Sequence, residues 1–261
     1  MPPPQRPRAA PELNGVAGGG SRDPGDVTSR LLAGELTLEG RLVNASNASF
    51  YGHVGGPGRD DAAPLACVYK PVRGERPLDD FPDGTLAARE VAAYELSQAT
   101  GWAIVPPTVL RDGPFGPGMV QAWLEPDQGI DPVDLIRSGA AALRRMALFD
   151  AVANNADRKV GHLLAMSDGH VYGVDHGICF AVEPKLRTVL WNWRGERLSA
   201  GERRVLVQLQ GALRGPLGRR LGELLAPEEV AATRTRVARL LQTGRYPQPD
   251  ADRPAVPWPP Y

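Results

Sequence analysis

The chain has 261 residues, enough to bury a full core in one domain or two joined lobes. Thirty basic residues balance thirty acidic ones, so bulk charge draws the chain to neither nucleic acid nor an anionic membrane surface. No apolar run reaches the roughly 18 residues of a membrane span, and the start lacks the apolar stretch of a secretory signal. Two cysteines, Cys67 and Cys179, suit a reducing cytoplasm rather than a disulfide framework.

In chain order, residues 1–28 are rich in Pro and Gly without periodicity and read as a disordered tail. The Gly18-Gly19-Gly20-Ser21 run is no phosphate loop, because no Gly-Lys-Ser/Thr follows it. Residues 35–43 alternate as a half-buried strand does, and a polar loop from Asn44 to Ser49 leads to a second strand over Phe50–Val54. A Gly/Pro/Asp loop precedes a third strand, Leu65–Lys70. Residues 86–99 predict a helix, capped by Asp83 or Thr85 and closed by Gly101. Short strands around Val109 and over Met119–Leu124 follow Pro106-Pro107, and beyond residue 132 the pattern is mainly helical. Strands with one helix, then helices, predict an α+β chain of two lobes: a small β-rich lobe over 29–124 and a larger helical lobe over 125–245. Residues 246–261 hold six prolines and read as an extended, unpacked arm.

Composition adds one pointer. Of the thirty basic residues only Lys70, Lys159 and Lys185 are lysines, so each stands where a compact ammonium is kept against a strong bias to Arg.

The helical half is interrupted at residues 154–180. Two short apolar segments, Leu163–Met166 and Val171–Val174, flank Ser167-Asp168-Gly169-His170. Asp-Gly between such segments predicts a hairpin with a two-residue turn, in which cross-strand partners sum to 337 and His162 lies opposite Asp175. Asp157 then sits at the same open end. Two carboxylates and an imidazole that converge in this way fit a metal and general-base site, a structural knot of hydrogen-bonded polar groups, or a zinc site. Zinc usually asks for more His or Cys ligands nearby. Alternation sends His176 away from Asp175, and His170 sits at the turn.

The spacing narrows these readings. A ligand-type side chain follows Asp157 by five residues and Asp175 follows it by eighteen, the layout of kinase catalytic and metal-binding segments. Asp157-Arg158-Lys159 with Asp175-His176-Gly177 resembles the corresponding segments of phosphatidylinositol 3- and 4-kinases. It is also similar to HipA-type serine kinases and to an actinobacterial kinase-like group of that superfamily. The resemblance spans about residues 35–200 and implies a two-lobed protein-kinase-like fold that takes ATP with Mg2+ or Mn2+. It implies that Asp157, beside Lys159, orients or deprotonates an acceptor hydroxyl, and that Asp175 and His162 hold the metal. Lys70 resembles the lysine on the nucleotide phosphates, and Glu90 the helix glutamate that pairs with it; Glu95 is a rival partner. By position, Ser46 and Ser49 would cover the phosphates, and the backbone of Gln121 and Ala122 would read the adenine.

One position departs from the family pattern: His162 stands where an asparagine is usual. Imidazole suits softer divalent ions than magnesium, and it ligates only when neutral, so metal affinity is expected to fall below about pH 6–6.5. The segment after Asp175 carries few basic residues, which favours a protein or small-molecule acceptor over a lipid. Two alternatives stay open: a nucleotide-binding pseudokinase scaffold, and an AMP transferase on the same fold.

Overall fold

A computed structural model describes residues 24–42, 47–55 and 63–261. Five strands form an antiparallel sheet in the order β1-β2-β3-β5-β4: β1 Leu36–Arg41, β2 Phe50–Val54, β3 Leu65–Pro71, β4 Thr108–Gly113 and β5 Gly116–Ala122. The two-residue period divides the sheet. Leu65, Cys67 and Tyr69 of β3, with Val120 and Ala122 of β5, bury one face against Val27 and Leu31 of helix α1, Pro24–Ala33. Lys70, one residue out of phase with Tyr69, projects from the other face, where Met119 of β5 packs on Ala87 and Val91 of helix α2, Leu86–Thr100.

Helix α2 is the wedge between the lobes. Eleven of its fifteen residues are buried, so it is Ala-rich and buried nearly all round rather than amphipathic, with Arg89 and Glu90 among the buried side chains. Gly101, at φ 68°, closes it as expected. Its start differs from expectation: neither Asp83 nor Thr85 caps it, and Thr85 Oγ1 instead donates to Pro82 O. The cap comes from Glu75, whose carboxylate accepts from the amides of Leu86 (3.0 Å) and Ala87 (2.8 Å). A carboxylate delivered from another segment satisfies the same orphan N–H groups and faces the positive end of the helix dipole.

The second lobe is helical: α3 Pro132–Ser138, α4 Ala141–Ala153, α5 Ala200–Arg214, α6 Pro216–Gly222 and α7 Pro227–Thr243. Leu143, Met146 and Phe149 of α4, Leu206 and Leu209 of α5 and Val237 of α7 form its core, together with Leu96 of α2. A two-stranded hairpin, β6 Leu163–Ala165 and β7 Val171–Gly173, lies at its border with the first lobe.

Three expectations need correction. Residues 24–28 are not part of a disordered tail but the start of α1, whose Pro24 and Gly25 read as a continuation of the Pro/Gly-rich run before them. The arm over 246–261 is packed, not loose: Tyr246 is buried, and Ala255 O accepts from Thr188 N (3.0 Å) and Trp191 Nε1 (2.8 Å). The hairpin register is one residue away from the expected one. Leu163 pairs with Gly173 and Ala165 with Val171, so partners sum to 336. The turn takes three residues, with Gly169 at φ 83° and its amide donating to Met166 O (3.0 Å). Asp-Gly serves this bulged turn as well as the two-residue one, because both need a residue at positive φ.

Candidate active site

In the shifted register His162 O accepts from Val174 N (3.1 Å), which alone would not bring the imidazole to Asp175. Two local features restore the meeting. Residues Val160–His162 form a single 3₁₀ turn before β6, and Asp175 leaves β7 in the left-handed region at φ 58°. Aspartate is among the few residues that tolerate this conformation, and it swings the carboxylate out of the strand line toward the interlobe cleft. His162 Nε2 then lies 3.4 Å from Asp175 Oδ2.

The other Asp175 oxygen, Oδ1, accepts a hydrogen bond from Lys70 Nζ, which also reaches Glu90 Oε1 at 2.9 Å. Three separate stretches of chain, β3, α2 and the residues after β7, thus meet on one ammonium. Burial works against the charge on Lys70, yet the Asp175 and Glu90 carboxylates hold its pKa above the ordinary lysine value. Lys70 in turn keeps the half-buried Asp175 well below the usual carboxylate range. The rival Glu95 is occupied elsewhere, bonded to Arg220 Nε at 2.9 Å.

Asp157 belongs to the same cluster. Its Oδ2 lies 3.1 Å from Lys159 Nζ, and burial lifts its pKa above the ordinary carboxylate value against the pull of that lysine. The negative charge of Asp175 adds to the lift. His162 moves the opposite way: burial pushes it down to about 4, which outweighs the attraction of Asp175. The expectation of protonation near pH 6–6.5 is therefore corrected: the imidazole is neutral through the neutral range, with Nδ1 accepting from the Lys159 amide (3.4 Å) and Nε2 facing Asp175.

A donor set of one carboxylate and one imidazole fits a divalent cation that takes its remaining ligands from phosphate oxygens and water. The described residues contain no group of three or more His, Cys, Asp or Glu side chains placed to hold a metal without such help. Asp175 and His162 are the residues that would hold it.

Not every expected residue joins the cluster. Ser46 lies outside the described residues. Ser49 is buried and its hydroxyl donates to Asn47 O (3.3 Å). Gln121 and Ala122 are in β5, a central strand with partners on both sides. Gln121 pairs with Val68 and Thr108, and the Ala122 amide donates to Pro107 O (2.9 Å). The Gln121 backbone and the Ala122 amide are used by the sheet, but Pro107 opposite has no N–H for the Ala122 carbonyl, so only the Gln121 part of the adenine assignment is corrected.

Sequence reading missed the support beneath the site. Arg158 and Asp150 of α4 are completely buried and paired, Nε to Oδ2 at 3.0 Å and Nη2 to Oδ1 at 2.8 Å. Arg158 Nη2 also approaches His176 Nε2 at 2.6 Å. A guanidinium can only donate, so this imidazole nitrogen accepts and His176 is neutral; burial and Arg158 push its pKa well below the ordinary value. The His176 amide donates to Glu90 Oε2 (2.8 Å), so the buried pair is connected through residue 176 to the glutamate that holds Lys70. Gly173 is required here, since a Cβ would stand 2.9 Å from Arg158 Nη1. Only Arg158, next to Asp157, carried a sequence signal; a buried carboxylate inside an apolar helix carries none.

Fold and site together define a two-lobed α+β protein with a lysine–glutamate–aspartate constellation between the lobes. No protein-family model matches the chain. It is 44% identical over 269 aligned residues to protein Rv2133c of Mycobacterium tuberculosis (strain ATCC 25618 / H37Rv), covering 90% of this chain and 95% of that protein. The chain belongs to the family of that protein. Among solved structures it is similar to a Helicobacter pylori proinflammatory kinase, CtkA, at 10% identity. That overlap has a TM-score of 0.46 over 83% of this chain and 94% of the other, too partial to carry an assignment. No helix among the described residues is long and apolar enough to cross a membrane.

Proposed function

We propose that the chain is an ATP-dependent phosphotransferase that moves a phosphoryl group to an acceptor hydroxyl. The observation that carries this reading is Lys70 Nζ shared between Glu90 and Asp175, with His162 and Asp157 in the same cluster. Phosphoryl transfer asks a protein for positioned charge more than for covalent chemistry. Lys70, fixed by Glu90, places a single cation against the nucleotide phosphates. Asp175 and neutral His162 would bind a divalent cation, Mg2+ or Mn2+, which neutralises charge on the phosphate oxygens. Asp157, with its raised proton affinity, takes the proton of the acceptor hydroxyl as the new oxygen–phosphorus bond forms. Lys159 keeps that carboxylate oriented and offsets the negative charge of Asp175.

The test is product analysis after incubation with ATP and either metal. Phosphorylated acceptor and ADP support transfer, and Asp157→Ala should lower the rate by about 10²–10⁴-fold while ATP still binds. The histidine at 162, where the kinases that the sequence resembles have an asparagine, keeps a second reading alive: a nucleotide-binding scaffold, marked by tight ATP binding without any product. Release of pyrophosphate with AMP on the acceptor would instead mark an AMP transferase.

A further inference from the structure

Beside Asp157 lies a groove of about 310 Å3, lined by Asp79, Asp80, Asp157, Lys185, Arg187 and Trp258 among others. Three of its features stand out. Trp258 is 91% exposed, a bare indole held at the groove mouth. Lys185 is already paired with Asp80 (3.0 Å), whereas neither the Asp79 carboxylate nor the Arg187 guanidinium makes a hydrogen bond or ion pair with a side chain among the described residues, although the charge of Arg187 acts on Asp80 and Asp157. Third, the wall that carries Trp258 is docked rather than draped: Ala255 O accepts from Thr188 N and Trp191 Nε1, Pro260 O accepts from Val160 N (2.9 Å), and Arg253 Nη1 donates to Pro184 O (2.8 Å).

These contacts limit what can enter. The segment around residues 187–189 is bonded on one side to residues 155–158, through Arg187 N to Asn155 O (2.9 Å) and Arg158 N to Arg187 O (3.1 Å). On its other side it is bonded to Ala255. No free edge remains there for an extended peptide to pair with, and the remaining space is that of a small molecule. Its lining is mixed: a flat apolar ring, a carboxylate that accepts and a guanidinium that donates. A polyhydroxylated ring matches that set, because its C–H face packs on an indole while its hydroxyls both donate and accept.

We propose that this groove binds a monosaccharide-sized polyhydroxy acceptor, with the Trp258 indole as its stacking face, Asp79 and Arg187 as hydroxyl partners and the docked C-terminal segment as its outer wall. As an acceptor site this rests on the phosphotransfer reading. The bond from the γ-phosphorus to the β,γ-bridging oxygen breaks, with its electron pair leaving on ADP. The acceptor oxygen forms the new bond to phosphorus, and its proton passes to Asp157 and then to solvent.

The experiment is saturation-transfer NMR of glucose, ribose and glucose 6-phosphate with the whole chain, without nucleotide. At least one sugar should show saturation of its ring C–H protons. Trp258→Ala should weaken that sugar about tenfold, and Asp79→Asn should weaken it too. Trp258 is exposed and its segment is anchored through the carbonyls of residues 255 and 260, so the variant keeps its fold. Absence of saturation with all three sugars overturns the proposal, as does equal affinity in Trp258→Ala. Phosphorylation of casein by the intact chain would also overturn it, since the docked wall excludes a polypeptide. Because the sugars are read without ATP, failure of the groove is distinguishable from failure to bind nucleotide, which is read separately from the melting temperature with ATP and metal.

Discussion

Glu90 separates two roles that a pair of substitutions can resolve. One oxygen holds Lys70 at 2.9 Å, and the other accepts the amide of His176 at 2.8 Å, with the side chain only 4% exposed. Glu90→Ala removes both. Orphaning a buried amide costs about 1–3 kcal/mol. Lys70 keeps Asp175, so the loss stays below the roughly 3–5 kcal/mol of stripping a buried charge of its only partner. The sum expected is about 2–4 kcal/mol, or a fall in Tm of roughly 2–4 °C for each kcal/mol in a chain of this size. Glu90→Gln keeps one oxygen for the His176 amide but turns an NH2 toward Lys70, so it loses the Lys70 bond while sparing the buried amide and should cost about 1 kcal/mol less. Urea titration followed by circular dichroism measures both variants. Equal destabilisation by the two, or less than about 0.5 kcal/mol for Glu90→Ala, would refute the claim that this side chain ties β3 to residue 176.

Other outcomes follow from the same geometry. Arg158→Met leaves the Asp150 carboxylate buried with Asn155 as its one remaining side-chain partner among the described residues, and should cost about 3–5 kcal/mol in the same denaturation assay. The pH–rate profile should show an acid limb above the roughly 3.9 of a free aspartate, because burial raises Asp157 and the carboxylate must be deprotonated to accept the hydroxyl proton. Activity is full above that raised value and is lost as pH falls through it. Lys159→Met removes the group that lowers Asp157 and should move the limb to higher pH.

Much of the site was legible because it is carried by local patterns. Lys70 and Glu90 were legible through their resemblance to the kinase lysine and helix glutamate, and the third strand and the helix that carry them were legible from their patterns; the two side chains meet at 2.9 Å. The Asp157, His162 and Asp175 spacing showed that these side chains belong together. How His162 and Asp175 meet was not legible. A two-residue turn and a bulged one share the Asp-Gly signal, and the positive φ of Asp175 that compensates for the slip is decided by tertiary contacts. The Glu75 cap, the Asp150–Arg158 pair and the docking of Ala255 and Pro260 join residues distant in sequence, with nothing in any one segment to announce the other. Proline content misled for the C-terminal arm: it excludes a helix or a central strand, yet leaves carbonyls free to accept from Val160 and Thr188.

The direct test of the central claim is a titration of ATP into the intact chain with Mg2+, with Mn2+ and with a chelator, in wild type and Asp175→Asn. The Lys70–Asp175–His162 arrangement predicts saturable ATP binding that requires one of the metals and is lost or weakened at least about tenfold in the variant. Binding that is indifferent to metal and to Asp175, or no binding at all, would contradict it.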